Sequence, residues 1–421
     1  MENLEKLNDL LEHELIASMG CTEPSAIAYA VSYAKEQIPK GEKIKKIDLF
    51  ASSNIYKNAL CVTLPQTNAS GIFLIILLAL TKCNSNEKLT ILNNITPEDI
   101  NKALKLKTEI DIEITLKENV NPLYIEVNLE SENHNVNVIL EQEHDKIKSC
   151  SIDNKIIFDK NIETNKDDKK ISLKFDDIYS FIVNKAYNTK IIEEVKKYNY
   201  ELGQYGLKNN VGLNIGSTIN ISNIYTGKIE KIISATAAGI DSRMSGVPKK
   251  VIINSGSGNQ GLTATIPIVE FSKQYNIPHD IEMDALALSH LTTIYIRSKQ
   301  NKLSSSCGAI CASAGVAAGI AYMLGCTKEQ IEGAINNLLC SIFGVICDGA
   351  KETCALKVST SISCAINSAI MAKNGVYINR PYGIISSSLD DTLISLGKIE
   401  TELTKKLDKT IMNEVIKVNG K

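Results

Sequence analysis

Along the first part of the chain the apolar positions change period several times, and each change marks an expected element. Between residues 3 and 37 they recur at three- and four-residue intervals, which predicts two helices interrupted at Ser18, Met19 and Gly20. The second helix starts at a Thr22 cap followed by Glu23 and Pro24, so Cys21 stands at a helix entrance. Strand-like runs follow at 46–51 and 60–64, and then an unbroken apolar run at 71–81 that predicts a buried helix. Thr96-Pro97-Glu98-Asp99 reads as a capped helix start. From 109 to 157 the period drops to two, with turn residues at 119–122, 131–135 and 153–154, and a small antiparallel sheet is expected.

The stretch 161–170 (NIETNKDDKK) holds one apolar residue among charges and is the expected linker. Beyond it helical spacing dominates, at 175–202, 227–239, 261–275 and through most of 283 to the end. The pattern therefore predicts an α+β protein. Residues 1–170 would form an N-terminal α/β domain with its β-rich segment at 109–157, and residues 171–421 a mainly α-helical domain.

Composition agrees with a globular chain of about two domains: 421 residues, 44% hydrophobic and 22% charged. Lys and Arg number 46 against 48 Asp and Glu, so no net field draws the protein to nucleic acid or acidic lipid. A small-molecule partner is expected. The N-terminal residues lack a basic and then apolar leader, and eleven cysteines over this length are too sparse for a disulfide scaffold, which together predict a reducing, cytoplasmic setting. The run at 71–81 is too short to span a bilayer. The uncharged segment 303–327 carries Gly315 and Gly319, but its bulk of Ser, Ala, Gly and Cys predicts a close-packed core helix rather than a membrane span.

Seven of the eleven cysteines fall between 307 and 364. Cys311, Cys326, Cys340 and Cys364 lie within or at the ends of apolar helical runs, where a thiol acts as a small hydrophobe. Cys307, Cys347 and Cys354 lie where turns are expected, before Gly308, before Asp348-Gly349 and at the close of 350–353. Loop sulfurs can converge on a metal. Their spacing lacks the paired C-x-x-C signature of zinc ribbons or ferredoxins, so packing and metal binding both stay open on spacing alone.

Residues 251–255 read as a strand, and Gly256-Ser257-Gly258-Asn259-Gln260-Gly261 fits the dinucleotide fingerprint ahead of a helix. A second strand ending in an acidic residue should follow that helix, and the chain offers Asn276-Ile277-Pro278-His279-Asp280 instead, which argues against a nicotinamide cofactor. Amides at a helix N-terminus without bulky side chains would equally hold the carboxylate of an amino acid, or form a tight turn only. His290, on a mostly apolar helix, reads as a satisfied core histidine.

Five blocks in order resemble the L-cysteine desulfidase family, relatives of the iron-sulfur L-serine dehydratases. They are Gly20-Cys21-Thr22-Glu23-Pro24; Ser53-Asn54-Ile55-Tyr56-Lys57-Asn58-Ala59; Asp241-Ser242-Arg243-Met244 with Gly246; 254–261; and Cys307-Gly308 with Cys347-Asp348-Gly349-Ala350-Lys351 and Cys354-Ala355-Leu356-Lys357. The resemblance implies a 4Fe-4S cluster held by Cys307, Cys347 and Cys354, with one iron left open to act as a Lewis acid. It implies cleavage of L-cysteine to pyruvate, ammonia and hydrogen sulfide without pyridoxal phosphate. Cys21, at a helix N-terminus that favours thiolate, is the candidate base or proton shuttle. Ser255, Ser257, Asn259 and Gln260, together with Asn54, Lys57 and Asn58, are the candidate substrate-binding residues. L-serine as substrate, a non-catalytic iron-sulfur sensor and a pyridoxal lyase are the alternatives. A homodimer is expected for an enzyme of this size. The chain closes on a charged helix without the terminal cysteine tail of the serine dehydratase relatives, which leans the resemblance toward cysteine.

Overall fold

The computed structural model describes residues 2–18, 22–60, 62–64, 67, 69–160, 173–222, 227–300 and 306–419. The first half comprises α1 (Glu2–Glu14), β1 (Ala17–Ser18), α2 (Thr22–Glu36), β2 (Ile44–Ala51), α3 (Ser53–Leu60), α4 (Ile72–Thr81) and α5 (Pro97–Lys105). Five strands follow: β3 (Asp111–Leu116), β4 (Tyr124–Ser131), β5 (Asn135–Glu141), β6 (Ile147–Ile152) and β7 (Lys155–Asp159). The second half holds α6 (Phe175–Val183), α7 (Thr189–Lys208), α8 (Ile215–Ile221), α9 (Lys228–Met244), β8 (Val251–Ile252), α10 (Gly258–Tyr275) and α11 (His279–Ser298). It ends with α12 (Gly308–Met323), α13 (Lys328–Ile342), α14 (Cys354–Lys373) and α15 (Leu389–Asn419). The protein is α+β, with a strand-rich N-terminal region and a helical C-terminal region.

The sheet runs β3-β2-β4-β5-β6-β7. Its pairs are antiparallel except β2 with β3, which are parallel. That parallel pair is possible because α3, α4 and α5 lie between the two strands and supply the crossover a parallel connection needs. Alternation turns one face of the sheet inward: Leu49, Val127, Val138 and Cys150 form a single row across four strands. They pack with Ile27 and Val31 of α2 and Ile75 and Leu78 of α4. Helix α4 is buried around nearly its whole circumference, as a run without polar residues requires. Thr96 caps α5 in a reciprocal box with Asp99, as its sequence indicates.

The described residues of the run 60–64 form no strand. Leu60 closes α3, and Thr63 makes only an isolated bridge to Ser70. Ile55 and Ala59, four residues apart, bury one side of α3, a period that prevails over the β-branched residues behind it.

A second core is built from α6, α7, α9 and α10 to α14, and it also takes in Leu7 and Leu11 of α1. The first helix of the chain thus packs with the helical half, and the expected linker 161–170 lies outside the described residues. Helix α12 runs through this core. Gly315 and Gly319 allow it to lie directly on α11, since a Cβ on Gly315 would stand 2.2 Å from the Ser289 carbonyl oxygen and one on Gly319 2.8 Å from that of Ala285. Among the described residues one helix, α14, has length and apolarity enough to cross a membrane, and it packs against α9, α12 and α13.

Candidate metal centre

Cys307, Cys347 and Cys354 are brought together by two helix starts and one short ladder. Cys307 is the N-cap of α12 and Cys354 the first residue of α14, so both thiols stand at the positive ends of helix dipoles. Cys347 lies between α13 and α14. Ser306 bridges antiparallel to Ile346, and the Cys307 amide donates to the Val345 carbonyl at 3.0 Å, which fixes the first loop against the second. The thiols act on one another: burial, then the neighbouring Cys347, pushes Cys307 up to about 12, and burial followed by Cys347 also raises Cys354. A metal binding here would have to displace their protons.

Two lysines hold the loop that carries Cys347. Lys351 and Lys357 both bond the Asp348 carboxylate, at 2.6 and 2.5 Å. Burial by itself would raise the Asp348 carboxyl; the two ammonium groups prevail and hold it down at about 2. Lys357 also donates to the Ile346 carbonyl at 2.9 Å. Among the described residues no three His, Cys, Asp or Glu side chains gather closely enough to hold a single ion. An iron-sulfur cluster takes its thiolates on different irons and needs them farther apart, and three neighbouring thiols, two at helix N-termini and one in a loop, fit that group.

The glycine-rich turn meets this centre. Ser255 and Gly256 adopt left-handed φ values of 49° and 79°, Asn254 and Ser257 bridge, and Ser257 caps α10 by accepting from the Gln260 amide. A Cβ on Gly261 would stand 2.0 Å from the Ile252 carbonyl oxygen, so that glycine serves close helix–strand packing. Gln260 reaches across to α12: a Cβ on Gly308 would lie 2.9 Å from its Cδ. Its carboxamide is buried, and Oε1 takes no hydrogen bond. Ser255, Ser257 and Asn259 are partly exposed on the same turn. Asn259 accepts from Arg243 of α9 at 3.1 Å.

His290 is a satisfied core residue. Asn254 Nδ2 donates to its Nδ1 and its Nε2 donates to Thr265, both at 3.0 Å, so the ring is the neutral Nε2 tautomer and steadies the turn through Asn254. Burial drives its pKa down to about 3. Unfolded, the imidazole takes a proton near pH 6.5; folded, it does not until far lower, so its contribution to stability is lost as pH falls below 6.5. Between pH 7 and 5 we expect urea-unfolding stability to drop by about 2 kcal/mol from this group, a drop missing from His290→Asn. Equal pH slopes in the two proteins would refute this.

Asn54, Lys57 and Asn58 share one face of α3, being three and four residues apart. Lys57 is buried and pairs with Asp408 of α15 at 3.2 Å, while its backbone lies behind the metal loop, 2.5 Å from where a Gly349 Cβ would stand. Gly349 has φ +105°, a second reason for glycine there. Asn58 donates to Glu23 at 2.9 Å, at the start of α2. Asn54 is buried in the first turn of α3. Cys21 lies outside the described residues; on its N-terminal side Ser18 pairs with Val251, and on the other Thr22 donates to Glu23 at 3.2 Å. Of the other clustered cysteines, Cys311 and Cys326 are buried as expected, Cys364 is half-buried and Cys340 is exposed, because the last turn of α13 emerges from the core. Arg243, Asp348, Lys351 and Lys357 lay within the quoted blocks, but their pairings follow from chain crossings that spacing does not encode.

Comparison with known proteins gives the family of the chain. The model of the serine dehydratase alpha chain family matches residues 86–413. A UPF0597 protein of Clostridium perfringens is 38% identical over 411 residues, covering 96% of each chain. One from Alkaliphilus oremlandii is 34% identical with 97% of each chain covered, and one from Clostridioides difficile is 34% identical with 98% of this chain and all of the relative covered.

Proposed function

Because this chain belongs to the serine dehydratase alpha chain family, of iron-sulfur lyases, we propose that it is a 4Fe-4S-dependent L-cysteine desulfidase that forms pyruvate, ammonia and hydrogen sulfide. The observation that carries the reading is the meeting of three thiols, the buried Cys307 and the half-buried Cys354 at two helix N-termini and the half-buried Cys347 in the loop between α13 and α14, beside a glycine-rich turn. Cys307, Cys347 and Cys354 hold the cluster. When bound, it supplies a Lewis acid for the leaving sulfur at an iron without a protein thiolate.

The chain's own residues do the rest. The first turn of α10 offers amides and the Ser255, Ser257 and Asn259 side chains to the substrate carboxylate, with Arg243 behind Asn259 adding positive charge. Gln260 faces the space between this turn and Cys307. The α3 face of Asn54, Lys57 and Asn58 backs the Cys347 loop and orients Glu23. Cys21 takes the α proton. Loss of that proton and of the β sulfur leaves 2-aminoacrylate, which water converts to pyruvate and ammonia. The near-zero net charge supports a small-molecule partner, with no nucleic acid and no membrane, for a cytoplasmic homodimer.

The family's description favours L-serine as the second reading, with hydroxide in place of sulfide as the leaving group. Anaerobic assay of the reconstituted protein with both amino acids separates them. We expect sulfide and pyruvate in equal amounts from cysteine; turnover of serine with none of cysteine would overturn the first reading. An anaerobic sample that is brown and bleaches in air fits the cluster, whereas yellow absorbance from an aldimine would favour pyridoxal.

A further inference from the structure

Gln260 is the one residue of the glycine turn whose side chain is both enclosed and unbonded. It is 3% exposed, and Oε1 has no hydrogen-bond partner. Native proteins keep few such groups, because a buried acceptor without a donor has lost its hydration for nothing. The carboxamide sits in the third position of α10 against Gly308, the residue after Cys307, and so lies between the turn and the thiols. An α-amino acid bound there presents a carboxylate, a β substituent and an ammonium group. The helix starts and Arg243 suit the carboxylate, and the cysteine centre takes the sulfur.

The ammonium needs an acceptor, and two carboxylates of the loops and helix starts named above are already engaged. Asp348 is held by Lys351 and Lys357, and Glu23 by Asn58 and Thr22. Gln260 is open. Rotation about its χ3, a soft torsion, exchanges the two ends of the carboxamide and can turn the oxygen toward a ligand. Resting on the reading that the glycine turn beside the three cysteines receives an α-amino acid, we propose that Gln260 is the specificity-determining residue for the substrate's α-ammonium group, accepting its hydrogen bond and so rejecting amine-free analogues.

The test compares anaerobic holoenzyme with Gln260→Leu and Gln260→Glu, each first checked for iron content. Wild type should be raised in melting temperature by L-cysteine and L-serine and not by 3-mercaptopropionate at equal concentration. Gln260→Leu, which removes an unbonded polar group, should melt without ligand at the same temperature or higher and lose the distinction. Its KM for cysteine should rise at least about tenfold, the loss of one charge-assisted hydrogen bond, with a smaller change in kcat. Gln260→Glu should restore the preference. A Gln260→Leu protein that still prefers the amino acids overturns the proposal, as does one that melts several degrees lower, which would make the carboxamide a structural group. Because the melting shift needs no turnover, a wild type that discriminates yet converts neither amino acid refutes the desulfidase reading and leaves Gln260 in place.

Discussion

A Cys307→Ala protein purified without oxygen should fold and carry no intact cluster, with turnover lost by at least about a thousandfold, the scale of removing a Lewis acid and the group that places it. The two effects separate for structural reasons. The loop geometry around residue 307 depends on its backbone, through the amide donated to Val345 and the bridge from Ser306 to Ile346, and alanine keeps both. What alanine removes is a thiol buried beside Cys347 and Cys354. The stability cost should stay near 1 kcal/mol, since one sulfur atom is lost from the edge of a core rather than a large side chain from its centre. Iron and labile sulfide analysis, with the visible spectrum, gives the readout. Cys340→Ala, altering an exposed thiol at the end of α13, is the control and should keep both iron and activity. A Cys307→Ala protein with full iron would remove Cys307 from the ligand set and with it the proposed centre.

Most elements were legible because their signals are local. The unbroken apolar run of α4, the Thr96 capping box of α5 and the two-residue alternation of β4 to β6 each follow from neighbouring residues. What escaped was set by partners distant in sequence. The run 60–64 has strand residues but, among the described residues, pairs through the isolated bridge of Thr63 to Ser70 and not with a strand, and α8 is short, with its Gly216 amide held by Asp241 of α9 at 2.9 Å. Nothing near β2 announces a parallel partner 65 residues on, from Lys46 to Asp111. The site divides in the same way. Loop position singled out three of seven clustered cysteines, and the structure brings those three within mutual influence. The Asp348 pairing with Lys351 and Lys357, the approach of Gln260 to Gly308 and the burial of Lys57 all arise where helix starts from different parts of the chain meet.

The longest of these meetings supplies the other large expected effect. Lys57 and Asp408 are 351 positions apart, both almost fully buried, and join α3 to the last helix of the chain. Removing one partner leaves a charge in the interior without a counter-ion, so Asp408→Ala should destabilise the protein by about 3 to 5 kcal/mol in urea unfolding. Replacing both with apolar residues, as in Lys57→Met with Asp408→Leu, removes the desolvation penalty along with the attraction and should recover most of that loss. The pair also bears on the metal loop, because the Lys57 backbone packs directly behind Gly349 in the segment between Cys347 and Cys354. A loosened α3 should therefore let iron escape faster: in Asp408→Ala the cluster should bleach more quickly under a chelator, at temperatures where the protein is still folded. The double variant separates the two consequences. If it regains stability but still loses iron quickly, the Lys57 side chain itself holds the loop in place; if it regains both, the burial of an unpaired charge was the sole cause. A single Asp408→Ala substitution costing less than about 1 kcal/mol would show that the pair is hydrated, since only exposed ion pairs are that weak.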